Sequence, residues 1–329
     1  MFYRKNQVFR IAIVAILLFV STLISAQTIN EVINVFNAGA DEVNAGNFEA
    51  AIAKFEECIV LANKLGEEGD EVKGRAQEQI PTIHYRIALD TYKEKDIEGA
   101  ISWFEKTIEA CDKYGNEDIK AKSLNYIPQL YYAQGSTQFR NEEIEEALVS
   151  FDKAIEYRPD YSRAFLGKGL VYKKMEQEEN MFSALDKAIE TGNSSGDDKT
   201  AAAAAKTARD YLVVEGMKAL KAEDYNSAID FFNASFKYDD QYADPYYYLA
   251  NIYNKQLEYE KAAENAKKAL EYDDNESEKK ARIYYELGNA YVGLVEYEKA
   301  CEAYRNALYE PYTNVAKHKM ENVPGCQPQ

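Results

Sequence analysis

The sequence predicts an all-α architecture, an α-solenoid built by repeating one helix-turn-helix unit about seven times and closing with a C-terminal capping helix. Three observations predict it. One thirteen-residue pattern recurs without gaps along the chain, a small residue recurs at a fixed place upstream of it, and no stretch of alternating β-branched residues offers a strand.

The recurring pattern is carried by NFEAAIAKFEECI from Asn47, DIEGAISWFEKTI from Asp96, EIEEALVSFDKAI from Glu143, DYNSAIDFFNASF from Asp224, EYEKAAENAKKAL from Glu258 and EYEKACEAYRNAL from Glu296. A seventh copy, QEENMFSALDKAI from Gln177, places Met181 where the others have a small residue. Upstream of each copy runs a partner helix whose small residue (Gly39, Ala88, Gly135, Gly169, Gly216, Ala250 or Gly288) lets two backbones approach. The large residue of the copy (Phe55, Phe104, Phe151, Phe232 or Tyr304) fills the space left over. These positions are core.

Equivalent residues from Phe48 to Tyr297 are spaced 49, 47, 34, 47, 34 and 38 apart, so three units carry insertions. Those insertions, GEEGDEVKGRAQEQI, NEDIKAKSLNYI and GNSSGDDKTAAAAAK, are compatible with lengthened helices. Pro81, Pro128, Pro159, Pro245 and Pro311 are expected at junctions between helices, because a helix interior tolerates proline poorly. Gly192 to Asp198 is the strongest flexible signal, which divides the solenoid into units 1 to 4 over residues 27–191 and units 5 to 7 over residues 199–314, with 192–198 as a break. Residues 315–329 hold the rest of the capping helix and a loose tail.

Across nearly all of residues 27–314 the copies resemble the tetratricopeptide repeat (TPR) family. The match is fullest at Tyr284, Leu287, Gly288, Tyr291, Ala300, Tyr304, Ala307 and Pro311, and at Tyr246, Leu249, Ala250, Tyr253, Ala262 and Ala269. The resemblance implies a right-handed superhelix whose first helices line a concave, peptide-binding wall. It transfers wall positions to Gln129, Tyr132, Ser136 and Phe139; to Arg163, Leu166, Leu170 and Lys173; to Asp244, Tyr247, Asn251 and Asn254; and to Arg282, Tyr285 and Asn289. Tyr247, Asn251 and Asn254 are the first choices, and the side chains of Tyr247 and Asn251 are expected to point away from the helix-pair interface. A subset of such domains captures a C-terminal carboxylate, and here Tyr247 and Glu286 stand where that pattern requires other residues.

Chemistry beyond binding has little foothold. Gly192 to Gly196 spells G-x-S-x-G, but a helical pattern precedes it where a nucleophile elbow needs a strand. His84 and His318 are the only histidines, with no serine or acid spaced to act with either. The stretch from Asp273 lacks the glycine and the final glutamate of a calcium loop. No enzyme, cofactor or metal site is expected.

The chain opens with Arg4, Lys5 and Arg10, then an apolar stretch over residues 11–24, then Ser25 and Ala26 before Gln27. That order is a signal peptide over residues 1–26, and the apolar run is short of the roughly 20 residues of a spanning helix. The mature chain carries 36 basic and 56 acidic residues, which repels nucleic acid and suits basic partners. Export permits a disulfide, and Cys301 with Cys326 is the pair whose repeat-to-tail position makes one feasible.

The functional expectation is an exported adaptor or scaffold, periplasmic or extracellular, that binds a polypeptide within an envelope complex, without membrane insertion after cleavage. The alternative is a non-catalytic cell-surface subunit that binds a polymer such as a glycan. Glycan platforms favour exposed tryptophan, and Trp103 is the only one. Mature protein from the native host is expected to begin at Gln27; N-terminal sequencing that recovers residues 1–26 on membrane-bound protein reverses the assignment.

Overall fold

The computed structural model describes residues 29–326, so the leader over residues 1–26 lies outside the described residues. Among the described residues there is no strand, and seven helix pairs are followed by one last helix. The first helices of the pairs are α1 (29–45), α3 (Asp70–Lys93), α5 (Glu117–Arg140), α7 (Ser162–Lys174), α9 (Asp198–Lys221), α11 (Ala243–Lys255) and α13 (Ser277–Gly293). Their partners are α2 (Phe48–Leu65), α4 (Ile97–Tyr114), α6 (Ile144–Tyr157), α8 (Glu178–Ser195), α10 (Tyr225–Ser235), α12 (Tyr259–Tyr272) and α14 (Tyr297–Asn306), with α15 (Thr313–Glu321) as the cap. No described helix is long and apolar enough to cross a membrane.

The packing rule inside a pair is a fixed register. Each small residue of the first helix meets the residue sixteen positions on in its partner. A Cβ added at Gly39 falls 3.0 Å from Phe55, at Gly135 3.0 Å from Phe151, at Gly169 2.6 Å from Leu185, at Gly216 2.7 Å from Phe232, and at Gly288 2.5 Å from Tyr304. Gly288 is therefore required: the Tyr304 ring is fully buried against it, and the crossing has no room for a methyl group. Where the first-helix residue is Ala250, the partner shrinks to Ala266, and both lie in one buried cluster.

The turn between the two helices also repeats. Seven residues after each small residue the backbone adopts positive φ, at Gly46, Lys95, Glu142, Glu176, Glu223, Leu257 and Val295. The next residue donates its backbone N–H to the carbonyl five back, as in Asn47 to Glu42, Glu143 to Gln138 and Glu296 to Tyr291, each at 2.9 Å. This is a Schellman closure, which satisfies carbonyls at the end of the first helix while that same residue stands at the N-cap position of the second. Only Gly46 takes the left-handed conformation without steric cost; a β-branched residue such as Val295 is disfavoured there.

Two compact units divide the chain, one running to Gly167 and the other from Lys168. In the first, α2 to α6 pack in succession and the core is built around Phe55, Phe104 and Phe151. In the second, α8 to α15 do the same around Leu185, Phe232, Leu249, Ile283 and Tyr304.

Three expectations need correction. Gly192 to Ser195 are the last turn of α8, not a break: Gly196 is left-handed, Asp197 accepts a hydrogen bond from the Thr200 N–H at 3.3 Å, and α9 begins at once. Pro81 and Pro128 are not at junctions but inside 24-residue helices. Each sits seven residues before its small residue, as Ser162 does at the first position of α7, so the inserted residues continue the helix upstream past a proline that would otherwise begin it. The tail is not loose as far as it is described, because Val323 and Cys326 are buried and Cys326 is bonded to Cys301, with Cα atoms 5.5 Å apart.

Substituting Gly288→Leu is expected to overpack the crossing with Tyr304 and cost about 1–3 kcal/mol. Gly74, inside α3 with nothing within 4 Å of an added Cβ, is the control: Gly74→Ala is expected to stabilise by about 0.5–1 kcal/mol. Urea unfolding that moves both variants in the same direction contradicts the register.

Candidate functional site

Inside the second unit, α11 and α13 pack side by side as neighbouring first helices and present their outer rows as one wall. That wall brings together Asp244, Tyr247, Asn251, Asn254, Arg282, Tyr285 and Asn289. Of the remaining wall candidates, Tyr132, Phe139 and Arg163 belong to the first unit and Lys173 to the second. In the first unit Tyr132 is half-buried and packs its ring on Phe151 and Tyr161, with centroids 5.9 and 5.7 Å away. Phe139 is half-buried near the end of α5, and Arg163 is exposed at the start of α7. Lys173 is exposed near the end of α7, in the part of that helix that belongs to the second unit.

At the centre of the wall is Glu286, only 5 % exposed. Asn251 donates its side-chain amide to one carboxylate oxygen at 2.8 Å, and Asn254 donates to the other at 2.8 Å and to the Glu286 carbonyl at 2.9 Å. Asn289 adds a longer contact at 3.3 Å, while its own amide oxygen accepts from the Tyr304 hydroxyl at 2.9 Å. The asparagines thus serve as donors to a buried acid, which would otherwise bear a large desolvation cost. Those bonds fix the asparagine orientations, since a flipped Asn254 amide would aim its oxygen at the carboxylate.

The other half of the wall is equally tied. Arg282 pairs with Asp244 at 2.5 Å and lies over the Tyr247 ring at 4.6 Å from its centroid. Asp244 also accepts from the Tyr242 hydroxyl at 2.9 Å, and burial, with that carboxylate as partner, pushes the Tyr242 phenol up to about 12. Tyr312, just before the cap, packs its ring tilted against that of Tyr285, with centroids 5.5 Å apart, and its hydroxyl neighbours that of Tyr247. Burial, with the neighbouring Tyr312 hydroxyl, holds the Tyr247 phenol far above its ordinary range, so it stays neutral.

Between the two helices and the cap lies a recess of about 410 Å³, floored by Glu286, Asn251, Asn254 and Asn289 and edged by Lys255 and Lys319. In the sequence Glu286 bears only on carboxylate capture, which it disfavours. Its signal was its placing: Glu286 sits three residues after Ile283 and four before Ala290, within the buried row of α13. Tyr312 and Lys319 carried no such signal, because the cap's docking depends on tertiary contacts.

A family model described as tetratricopeptide repeat matches residues 128–161 and 281–310. Two of the seven helix pairs thus match the tetratricopeptide repeat. A search of curated proteins finds no match. Solved structures of TPR proteins are similar at low identity. YrrB, described as a TPR protein with an unusual peptide-binding site, is 20 % identical and aligns over 58 % of this chain and 91 % of its own, with a TM-score of 0.33. A tetratricopeptide repeat protein from Parabacteroides merdae is 15 % identical over 88 % of this chain and 97 % of its own, with a TM-score of 0.28. The TPR2AB domain of yeast Sti1, in complex with pHSP90, is 17 % identical over 74 % of this chain and 93 % of its own, with a TM-score of 0.29.

Other groups are structural. His84 lies in the second half of α3, beyond Pro81; burial lowers its pKa, and its Nδ1 is 3.2 Å from the Lys106 carbonyl. Trp103 is half-buried, with the Lys106 ammonium 4.1 Å from its ring centroid. Ser194 and Ser195 donate to helix carbonyls of Thr191 and Gly192. Among the described residues no group of three or more His, Cys, Asp or Glu is placed to hold a metal ion.

The wall asparagines therefore act in stability as well as in any binding. Asn251→Ala removes a donor from the Glu286 carboxylate and is expected to cost about 1–3 kcal/mol, whereas Lys173→Ala, at an exposed position, is expected to stay within about 0.5 kcal/mol. Thermal unfolding in which the two variants match would mean that the asparagine contributes nothing to the folded state.

Proposed function

We propose that this protein is an exported, non-catalytic adaptor or scaffold that binds a polypeptide partner of an envelope complex along the wall of α11 and α13. The carrying observation is that this wall gathers aromatic, amide and charged side chains on two adjacent, rigid helices, with an open recess between them. Such a surface suits an extended peptide or a helix, through packing on tyrosine and hydrogen bonds from side-chain amides to backbone. The acidic character of the mature chain adds long-range attraction for a basic partner. Signal cleavage after Ala26 would deliver it to the periplasm or the cell exterior, where the Cys301–Cys326 bond can persist. The glycan reading loses its one platform candidate, since Trp103 is half-buried beneath Lys106.

Crosslinking and affinity capture from the native host test the proposal. Arg282→Ala combined with Tyr285→Ala is expected to weaken capture by about 2 kcal/mol, roughly thirtyfold, with helicity by circular dichroism retained. Neutralising the exposed Glu260, Glu264 and Glu271 of α12 to glutamine is expected to change capture only through its salt dependence. The reverse pattern, with capture surviving the wall change and lost with the α12 change, places binding on the outer surface and rejects the wall.

A further inference from the structure

The recess over Glu286 has a chemistry of its own. Glu286 is a fully formed carboxylate site with amide donors on both oxygens, yet no lysine, arginine or histidine among the described residues pairs with it. Lys255 and Lys319 edge the recess without reaching the acid; the Lys255 ammonium instead lies 5.6 Å from the centroid of the Tyr225 ring. A buried charge that is hydrogen-bonded but has no counter-ion is an unusual state, since charges taken out of water are ordinarily paired.

The floor is also short of donors. A carboxylate offers about four acceptor positions, and three of those of Glu286 are filled by asparagine amides. The Asn254 side-chain oxygen is buried and accepts from nothing, while its nitrogen is committed to Glu286. What the recess lacks is therefore a group with several N–H donors, no acceptor and a positive charge. An alkylammonium or a guanidinium has that description, and a backbone amide or a carboxylate does not.

We propose that this recess receives one cationic group of the bound polypeptide, an arginine or lysine side chain or a terminal amine, with Glu286 as its counter-ion and the Asn254 side-chain oxygen as a second acceptor. The proposal rests on the polypeptide-binding reading and specifies the partner's chemistry at one position. It reverses the polarity of carboxylate capture. The asparagines orient the acid and leave their partner to choose between cation and water. With a volume of about 410 Å³ the recess admits a long side chain from the open side.

The test is a titration of 15N-labelled protein, following the side-chain amide resonances of Asn251, Asn254 and Asn289. The probes are N-acetyl-arginine amide, N-acetyl-lysine methylamide and, as a neutral isostere, N-acetyl-citrulline amide. Saturable shifts with a cationic probe, at least tenfold weaker with citrulline, are expected, and the stronger of the two cations names the side chain. Glu286→Gln is expected to remove the preference for charge. Lys255→Gln with Lys319→Gln is expected to tighten cation binding by relieving repulsion. Equal response to citrulline, no saturable shift with any probe, or binding that depends on the two rim lysines overturns the proposal. The wider reading is tested separately: partner capture that persists unchanged in Glu286→Gln rejects the recess and leaves the polypeptide-binding wall standing, whereas absence of any captured partner bears on the wall alone.

Discussion

Everything in this fold depends on one close approach, that of a small residue in the first helix of a pair to the residue sixteen positions later in its partner. At Gly288 the approach leaves no room for a methyl group beside the Tyr304 ring. Such contacts set the rotation of each helix about its own axis, and rotation decides which rows of side chains are buried and which are presented. Leu287 and Ile283 go into the core because Gly288 meets Tyr304, and the same rotation puts Arg282, Tyr285 and Asn289 on the wall. The repeated left-handed turn fixes the distance along the chain between the two contacting residues, and so makes the register possible seven times over.

On the wall, the side chains that sequence reading assigns to a partner are first partners of one another. Asn251 and Asn254 hold Glu286, Arg282 holds Asp244, and Tyr247 is neighboured by Tyr312 just before the cap. These bonds hold the wall residues in place before a ligand arrives, which lowers the conformational entropy lost on binding. They also mean that a change at one wall residue acts on folding and on recognition together, so stability has to be measured beside affinity. The cap participates in the same way: Ala316, Met320 and Val323 join the terminal core, Cys326 is bonded to Cys301, and Lys319 reaches the recess edge.

Most of the fold was legible in the sequence because it is periodic. Small residues such as Gly135 and Gly216, and their aromatic counterparts Phe151 and Phe232, recur at one separation, and a single helix-pair rule accounts for them. Local signals misled where helix length mattered: Pro81 and Pro128 read as junctions because a helix of standard length would start there, and only the upstream packing of α3 and α5 makes them interior. Gly192 to Asp198 reads as flexible from composition, yet Gly196 supplies one left-handed residue and Asp197 a cap, which is all that a tight turn between α8 and α9 needs. The site was legible by position but not by partner. Nothing in the order of residues says that the amides of Asn251 and Asn254 cross to an acid 35 and 32 residues away.

The central claim is that the polypeptide partner lies on the α11 and α13 wall and not on the outer helices. The most direct measurement is photo-crosslinking in the native host, with a benzophenone side chain placed at position 255 at the recess edge or at position 264 on α12. The account predicts a polypeptide adduct from position 255 and none from position 264. An adduct that forms only from position 264 would contradict it.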